Sequence, residues 1–224
     1  EARRSRAAFM VGAGIFFSRV SGLLRGVLMA SFFGVSGLMD VWFAATKIPN
    51  VIQNLLGEGT LSASVIPVYA EFLEEGRDEE AGRFAGAVLG ILMVVAGGAA
   101  LLGMLLAPVF IPIAFFRWDQ EKLALTTLIV QILFPMTAVL GVSAWALAIL
   151  NSHRRFLVSY LAPVAWNGAI IATLVVVGFG FGWSGRQLLL ATAWGALGGG
   201  ILQFAVQLPY AVPLLEHFRL SLDR

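Results

Sequence analysis

Long apolar runs, separated by short polar stretches, dominate the pattern of this chain. A helix that crosses the hydrocarbon core of a bilayer needs about 20 mostly apolar residues, at a rise of about 1.5 Å per residue. Six segments meet this requirement and predict six transmembrane helices, at 8–33, 39–56, 84–112, 123–150, 157–181 and 187–215. A further segment, 60–74, is amphipathic, which predicts an extension of the second span or a helix at the membrane surface.

The composition supports this interpretation. Of the 224 residues, 59% are hydrophobic and 12% are charged, whereas soluble domains carry about 25% charged residues. We therefore expect an all-α polytopic membrane protein. The net charge of +2 and the lack of a long basic run argue against a nucleic acid partner. The absence of cysteine excludes disulfides and thiolate metal sites, and we expect no metal site at the two histidines.

The distribution of lysine and arginine predicts an orientation, because cytoplasmic loops of membrane proteins are enriched in these residues. An even number of spans places both ends of the chain on the same side. Nine of the 15 basic residues fall on that side and three on the other, so we expect both ends in the cytoplasm. The nine are Arg3, Arg4, Arg6, Arg77, Arg83, Arg154, Arg155, Arg219 and Arg224.

The first apolar stretch follows a basic start, as in a signal peptide, but it continues for a full span. We therefore expect a retained transmembrane helix. The chain begins at Glu1 and stops soon after an apolar segment, and both ends are expected to be cut from a longer protein.

Two arginines lie inside this first span. With Arg6 at the cytoplasmic interface, Arg19 lies roughly 20 Å deep and Arg25 about 29 Å along, in a core about 30 Å thick. A mid-membrane arginine costs about 2.5–3.5 kcal/mol, which favours a wet cavity, a counter-ion or a ligand beside it. On an unbroken helix the two side chains point roughly 120° apart. A helix break near Gly22 would turn both toward one space.

Three more polar residues join this candidate site. Asp40 opens the second span, Lys47 follows on nearly the same face, and Glu58 lies between glycines that mark a helix interruption. The alternative is an internal ion-pair network, with Asp40 paired to Arg25 and Arg19 or Lys47 paired to other carboxylates. Because positive groups outnumber carboxylates at depth, we expect a cationic cavity and an anionic substrate. Guanidinium groups bind phosphate oxygens through two parallel hydrogen bonds.

Several segments carry a resemblance to a known family. "SRVSGLLRG" at 18–26, "FGVSGLMDVWFAATKIPN" at 33–50 and "GEGTLSASVIPVYAEF" at 57–72 resemble the opening helices of the MurJ (MviN) lipid II flippases. This family is a branch of the multidrug/oligosaccharidyl-lipid/polysaccharide exporter superfamily. The resemblance continues through "AILNSHRRF" at 148–156 and "GGGILQFAVQLPY" at 198–210, and it covers essentially the whole chain.

The resemblance implies that residues 1–224 form the N-terminal six-helix lobe of a two-lobe transporter whose second lobe is absent from this chain. Its partners would be lipid II, a polyprenyl pyrophosphate-linked disaccharide pentapeptide, together with membrane lipids and the second lobe. Such a protein moves lipid II across the bacterial inner membrane by alternating access, for peptidoglycan synthesis. By similarity, Arg19 and Arg25 would hold the pyrophosphate, and Asp40 and Glu58 match the family's acidic residues. Lys47 completes the predicted substrate site.

The chain departs from the family at two places. Gly26 stands where an acidic residue often follows the second arginine, and Gln53 and Asn54 stand where the second span often carries a basic residue. One candidate phosphate contact is thereby missing.

Other functions fit the residues less well. A related exporter of other polyprenyl-linked glycans or of drugs is the main alternative, but an exporter of cationic drugs needs buried carboxylates. An intramembrane enzyme needs a nucleophile with a base, and no histidine or cysteine lies in a span beside Ser18, Ser21 or Ser62. A scaffold would not need Arg19. Without a P-loop or a cofactor motif, we expect transport driven by membrane potential or an ion gradient, with no cofactor.

Overall fold

The computed structural model describes residues 2–55, 64–153 and 155–215, and within these ranges all regular structure is helical. The described residues form seven α-helices: α1 Ala2–Phe33, α2 Gly37–Gln53, α3 Ile66–Glu74, α4 Asp78–Ala114, α5 Gln120–Ser152, α6 Phe156–Thr173 and α7 Gly185–Ala211. A π-helical segment, Leu174–Gly180, continues α6, and a short 3₁₀ segment, Val212–Leu214, continues α7. The predicted all-α fold is confirmed.

Five of the described helices are long and apolar enough to cross a membrane: Gly12–Phe33, Asp78–Ala114, Gln120–Ser152, Leu157–Gly180 and Gly185–Leu214. The second predicted span corresponds to α2. This α-helix has 17 residues, and two further helical residues follow it before the described segment ends. The amphipathic segment forms α3, a separate nine-residue helix in the described range. How α2 connects to α3 lies outside the described residues.

The helix α5 forms the centre of the bundle. In its most apolar stretch 61% of the residues are buried, compared with 6% in that of α1. It packs against α2, α4 and α7, while α6 packs against α7 and α1. Although α1 and α2 are consecutive in sequence, they pack against different helices, α1 against α6 and α2 against α5.

Two clusters of buried residues hold the bundle together. One surrounds the first half of α5 and includes Ile129, Leu133 and, from α7, Leu188. The other surrounds the end of α5 and includes Trp145, with Tyr69 of α3 packed against it. Because lipid is as apolar as these side chains, close packing rather than exclusion of water must hold such helices together.

The turn between α1 and α2 places Asp40 at the start of its helix. Gly34 ends α1 with φ +54°, a left-handed conformation that only glycine adopts without strain, and its amide nitrogen donates to Ala30 O at 2.8 Å. Ser36 then precedes α2 in an extended conformation. Asp40 therefore lies in the first turn of α2, where a negative charge interacts favourably with the helix dipole.

Candidate functional site

The first helix is continuous through both candidate arginines. The break near Gly22 that would turn both toward one space is not formed, since α1 runs without interruption from Ala2 to Phe33. A broken helix leaves backbone groups without partners, and at membrane depth each such group costs several kcal/mol. The unbroken helix keeps Arg19 and Arg25 on faces roughly 120° apart.

Arg25 points toward α6. Its Nη1 donates to the side-chain oxygen of Asn167 at 2.9 Å, and its guanidinium carbon lies 4.8 Å from the centre of the Trp166 ring. Among the described residues no carboxylate pairs with Arg25. This partly buried cation is therefore held by an amide and an aromatic ring, and its charge is not cancelled.

Arg19 and Lys47 are exposed in the bundle. Across residues 2–55, 64–153 and 155–215, neither side chain forms a hydrogen bond or an ion pair, so neither is joined in this way to Arg25 or Asp40. With Arg25, they give α1 and α2 three basic groups that lack a carboxylate partner in the described part of the chain.

Asp40 has a partner that sequence reasoning missed. Its carboxylate accepts from Lys122 Nζ at 2.8 Å, and the same Nζ lies 4.1 Å from the centre of the Trp118 ring. The Asp40–Arg25 pair of the alternative ion-pair network is therefore not formed in this structure. The positions of the two residues could have indicated this pair, because the predicted span boundaries place both Asp40 and Lys122 at the same membrane interface.

Glu58 lies outside the described residues, so its place in the site stays a prediction. The structure does not join the other four candidates directly to one another. Arg25 contacts α6 and Asp40 contacts α5, whereas Arg19 and Lys47 remain exposed. The described cavities, of about 260 and 250 Å³, are lined by other residues.

The larger cavity contains a second polar cluster, which was not predicted from the sequence. Tyr69 Oη lies 3.2 Å from His153 Nε2, and Asp78 also lines the cavity. Burial raises the pKa of Tyr69 to about 12, and the Asp78 carboxylate adds to this increase. Burial, with a smaller contribution from Arg155, lowers the pKa of His153. Burial thus favours the neutral imidazole beside the phenol.

Known proteins are similar to this chain in sequence. It is 31% identical over 206 residues to the lipid II flippase MurJ of Burkholderia cenocepacia, an alignment that covers 91% of this chain and 39% of that protein. It is also 31% identical over 201 residues to a probable lipid II flippase MurJ of Buchnera aphidicola, covering 86% and 37%. The chain thus spans about two fifths of the length of these curated relatives.

A solved structure shares the fold. A chain described as lipid II flippase MurJ in an inward closed conformation matches with a TM-score of 0.72 and 24% identity, over 96% of this chain and 44% of the solved one. The family model for lipid II flippase MurJ matches residues 29–223. This chain therefore belongs to the lipid II flippase MurJ family.

Proposed function

We propose that this chain forms the N-terminal lobe of a flippase that moves lipid II from the inner to the outer leaflet of the bacterial inner membrane. The single observation that carries the proposal is the state of Arg25: a partly buried guanidinium with neutral partners and no carboxylate among the described residues. The cost of such a charge in a membrane is compensated when it binds an anion. The family membership supports lipid II as the source of that anion.

The pyrophosphate of lipid II is the chemical group that suits Arg25. A guanidinium carries five N–H donors, of which Nη1 donates to Asn167, so other donors remain for phosphate oxygens. Arg19 and Lys47 add positive charge on α1 and α2. We propose that Asp40 and Glu58 also line the substrate site, and that a second lobe supplies the opposite wall.

Transport in this proposal involves no covalent chemistry. The cavity between the lobes opens alternately to each side of the membrane, and both ends of this chain lie in the cytoplasm. The membrane potential or an ion gradient supplies the energy, since one charge moved through 100 mV is worth about 2.3 kcal/mol.

Growth complementation tests the proposal. The full-length gene product that contains these 224 residues is expressed in bacteria depleted of their own lipid II flippase. We expect it to restore growth, and we expect Arg25→Ala to abolish that growth at an unchanged level of protein in the membrane. Arg77→Ala is the matched control, because Arg77 is an exposed arginine paired with Glu75 outside the candidate site.

Two results would contradict the proposal. Failure of the unaltered protein to support growth, although it is present in the membrane, would remove the flippase function in that host. Normal growth with Arg25→Ala would remove the role of Arg25 in phosphate binding. Restored export of a different polyprenyl-linked glycan in a matching host would favour the related exporter instead.

A further inference from the structure

Among the residues that the structure describes, the groups that fix Arg25 are neutral and come from one short segment of α6. Trp166 contacts the face of the guanidinium and Asn167 accepts one of its N–H groups. We infer that Asn167 and Trp166 are positioning residues, which hold Arg25 in a fixed direction for a diphosphate while leaving its charge whole. This inference rests on the proposed function.

The side-chain amide of Asn167 has a defined orientation. It is 6% exposed, its oxygen accepts from Arg25, and its nitrogen donates to Ser21 Oγ at 2.9 Å. The Ser21 hydroxyl in turn donates to the backbone oxygen of Ser18 at 2.9 Å. Exchanging the amide oxygen and nitrogen would place an N–H group against the guanidinium, which is itself a donor, and would remove that hydrogen bond. The hydrogen bonds therefore determine which atom faces Arg25.

Contacts with α7 fix the position of Trp166. Its indole Nε1 donates to the backbone oxygen of Ala196 at 3.0 Å. A Cβ atom on Gly199 would lie 3.0 Å from Trp166 Cδ1 and 2.9 Å from Ala169 Cβ, closer than side chains normally approach. Gly199 therefore provides the space in which Trp166 packs against α7. This contact gives a role to part of the glycine-rich sequence "GALGGG" at 195–200.

Neutral partners leave a guanidinium available to an anion, whereas a carboxylate partner does not. A carboxylate at position 167 would pair with Arg25 and compete with phosphate for the same N–H groups. The Asp40–Lys122 pair shows the opposite arrangement in the same bundle, with the two charges in direct contact at 2.8 Å. An amide at position 167 fixes the direction of Arg25 without that competition.

The test measures lipid II binding by the purified full-length gene product in detergent, together with its midpoint of thermal unfolding. The variants are Asn167→Ala, Asn167→Asp and Trp166→Leu. Asn151→Ala is the matched control, because the Asn151 side chain accepts a comparable hydrogen bond from Ser159 of α6 at 2.7 Å but does not contact Arg25.

We expect Asn167→Ala and Trp166→Leu to weaken binding about tenfold, a change equivalent to about 1.4 kcal/mol. Asn167→Asp should weaken binding further, while its unfolding midpoint equals or exceeds that of the unaltered protein, because the new carboxylate pairs with Arg25. A purely structural role would instead leave binding by Asn167→Asp unchanged, since aspartate keeps the acceptor oxygen. Asn151→Ala should bind as the unaltered protein does.

The outcomes separate this inference from the proposed function. Unchanged affinity in Asn167→Asp would overturn the inference. The inference would also be overturned if Arg25→Ala lost lipid II binding while Asn167→Ala and Trp166→Leu kept it. If the unaltered protein does not bind lipid II, the proposed function itself fails. If it binds lipid II no better than Arg25→Ala does, the role of Arg25 in phosphate binding fails.

Discussion

The Asp40–Lys122 pair allows a structural role of Asp40 to be separated from a role in transport. The carboxylate contacts Lys122 at 2.8 Å, yet 60% of the Asp40 side chain remains exposed, so it is accessible to a substrate as well. We consider the variants Asp40→Asn and Lys122→Gln and the double variant. Each single substitution removes one charge and keeps a polar side chain, and the double variant removes both charges.

The structure predicts the order of their stabilities. Exposed ion pairs contribute about 0.2–1 kcal/mol, which is the loss expected for Asp40→Asn. Lys122 is 19% exposed and also contacts the ring of Trp118. Lys122→Gln loses this cation–π contact as well, at a further cost of about 0.5–1 kcal/mol. For a protein of this size 1 kcal/mol lowers the midpoint of thermal unfolding by about 2–4 °C.

The proposed function predicts the opposite order for activity. If Asp40 lines the substrate site, Asp40→Asn loses growth complementation although it is the more stable single variant, and Lys122→Gln keeps most of it. Thermal unfolding in detergent and growth of flippase-depleted cells measure the two quantities. Activity that follows stability across all three variants would refute a transport role for Asp40 and leave only its ion pair.

Two further predictions concern the bundle away from the candidate site. The buried Ser143 hydroxyl donates to Gln207 at 2.9 Å and accepts from Gln203 at 3.1 Å, so Ser143→Ala breaks both contacts. At about 0.6 kcal/mol per interhelical bond in membranes, rising to about 2, we expect a loss of about 1–4 kcal/mol in unfolding experiments; a loss no larger than that of exposed Ser31→Ala would contradict this. Because burial lowers the pKa of His153, this side chain binds more protons in the unfolded protein than in the folded one. The contribution of neutral His153 to stability is therefore lost as the pH falls below about 6.5. His153→Gln should weaken this pH dependence of the unfolding midpoint, and an unchanged profile would contradict the assignment.

The helices themselves were predictable from the sequence because each needs a long apolar run. The predicted span at 123–150 lies within α5, which covers Gln120–Ser152, and the span at 157–181 coincides with α6 and its π-helical continuation to within one residue. Hydrogen bonds within a helix are local, so the pattern of one segment is sufficient to predict it.

The partners of the charged residues were not predictable in the same way. Asn167 is 142 positions from Arg25, and Lys122 is 82 positions from Asp40. Which helices are neighbours depends on small differences in packing, because helices that are apolar on every side have no single face that must be buried. The sequence therefore predicted a cationic site without its neutral supporting groups.

The unbroken helix α1 holds its two arginines in different surroundings. Arg25 is fixed by Asn167 and Trp166, whereas Arg19 is exposed and has no recorded partner in the described part of the chain. On one continuous helix the two side chains start roughly 120° and about 9 Å apart. A single pyrophosphate that contacts both must therefore be reached by movement of Arg19, because movement of Arg25 breaks its contacts with α6. In the proposed mechanism Arg25 is the fixed anchor and Arg19 is the side chain that adapts to the substrate.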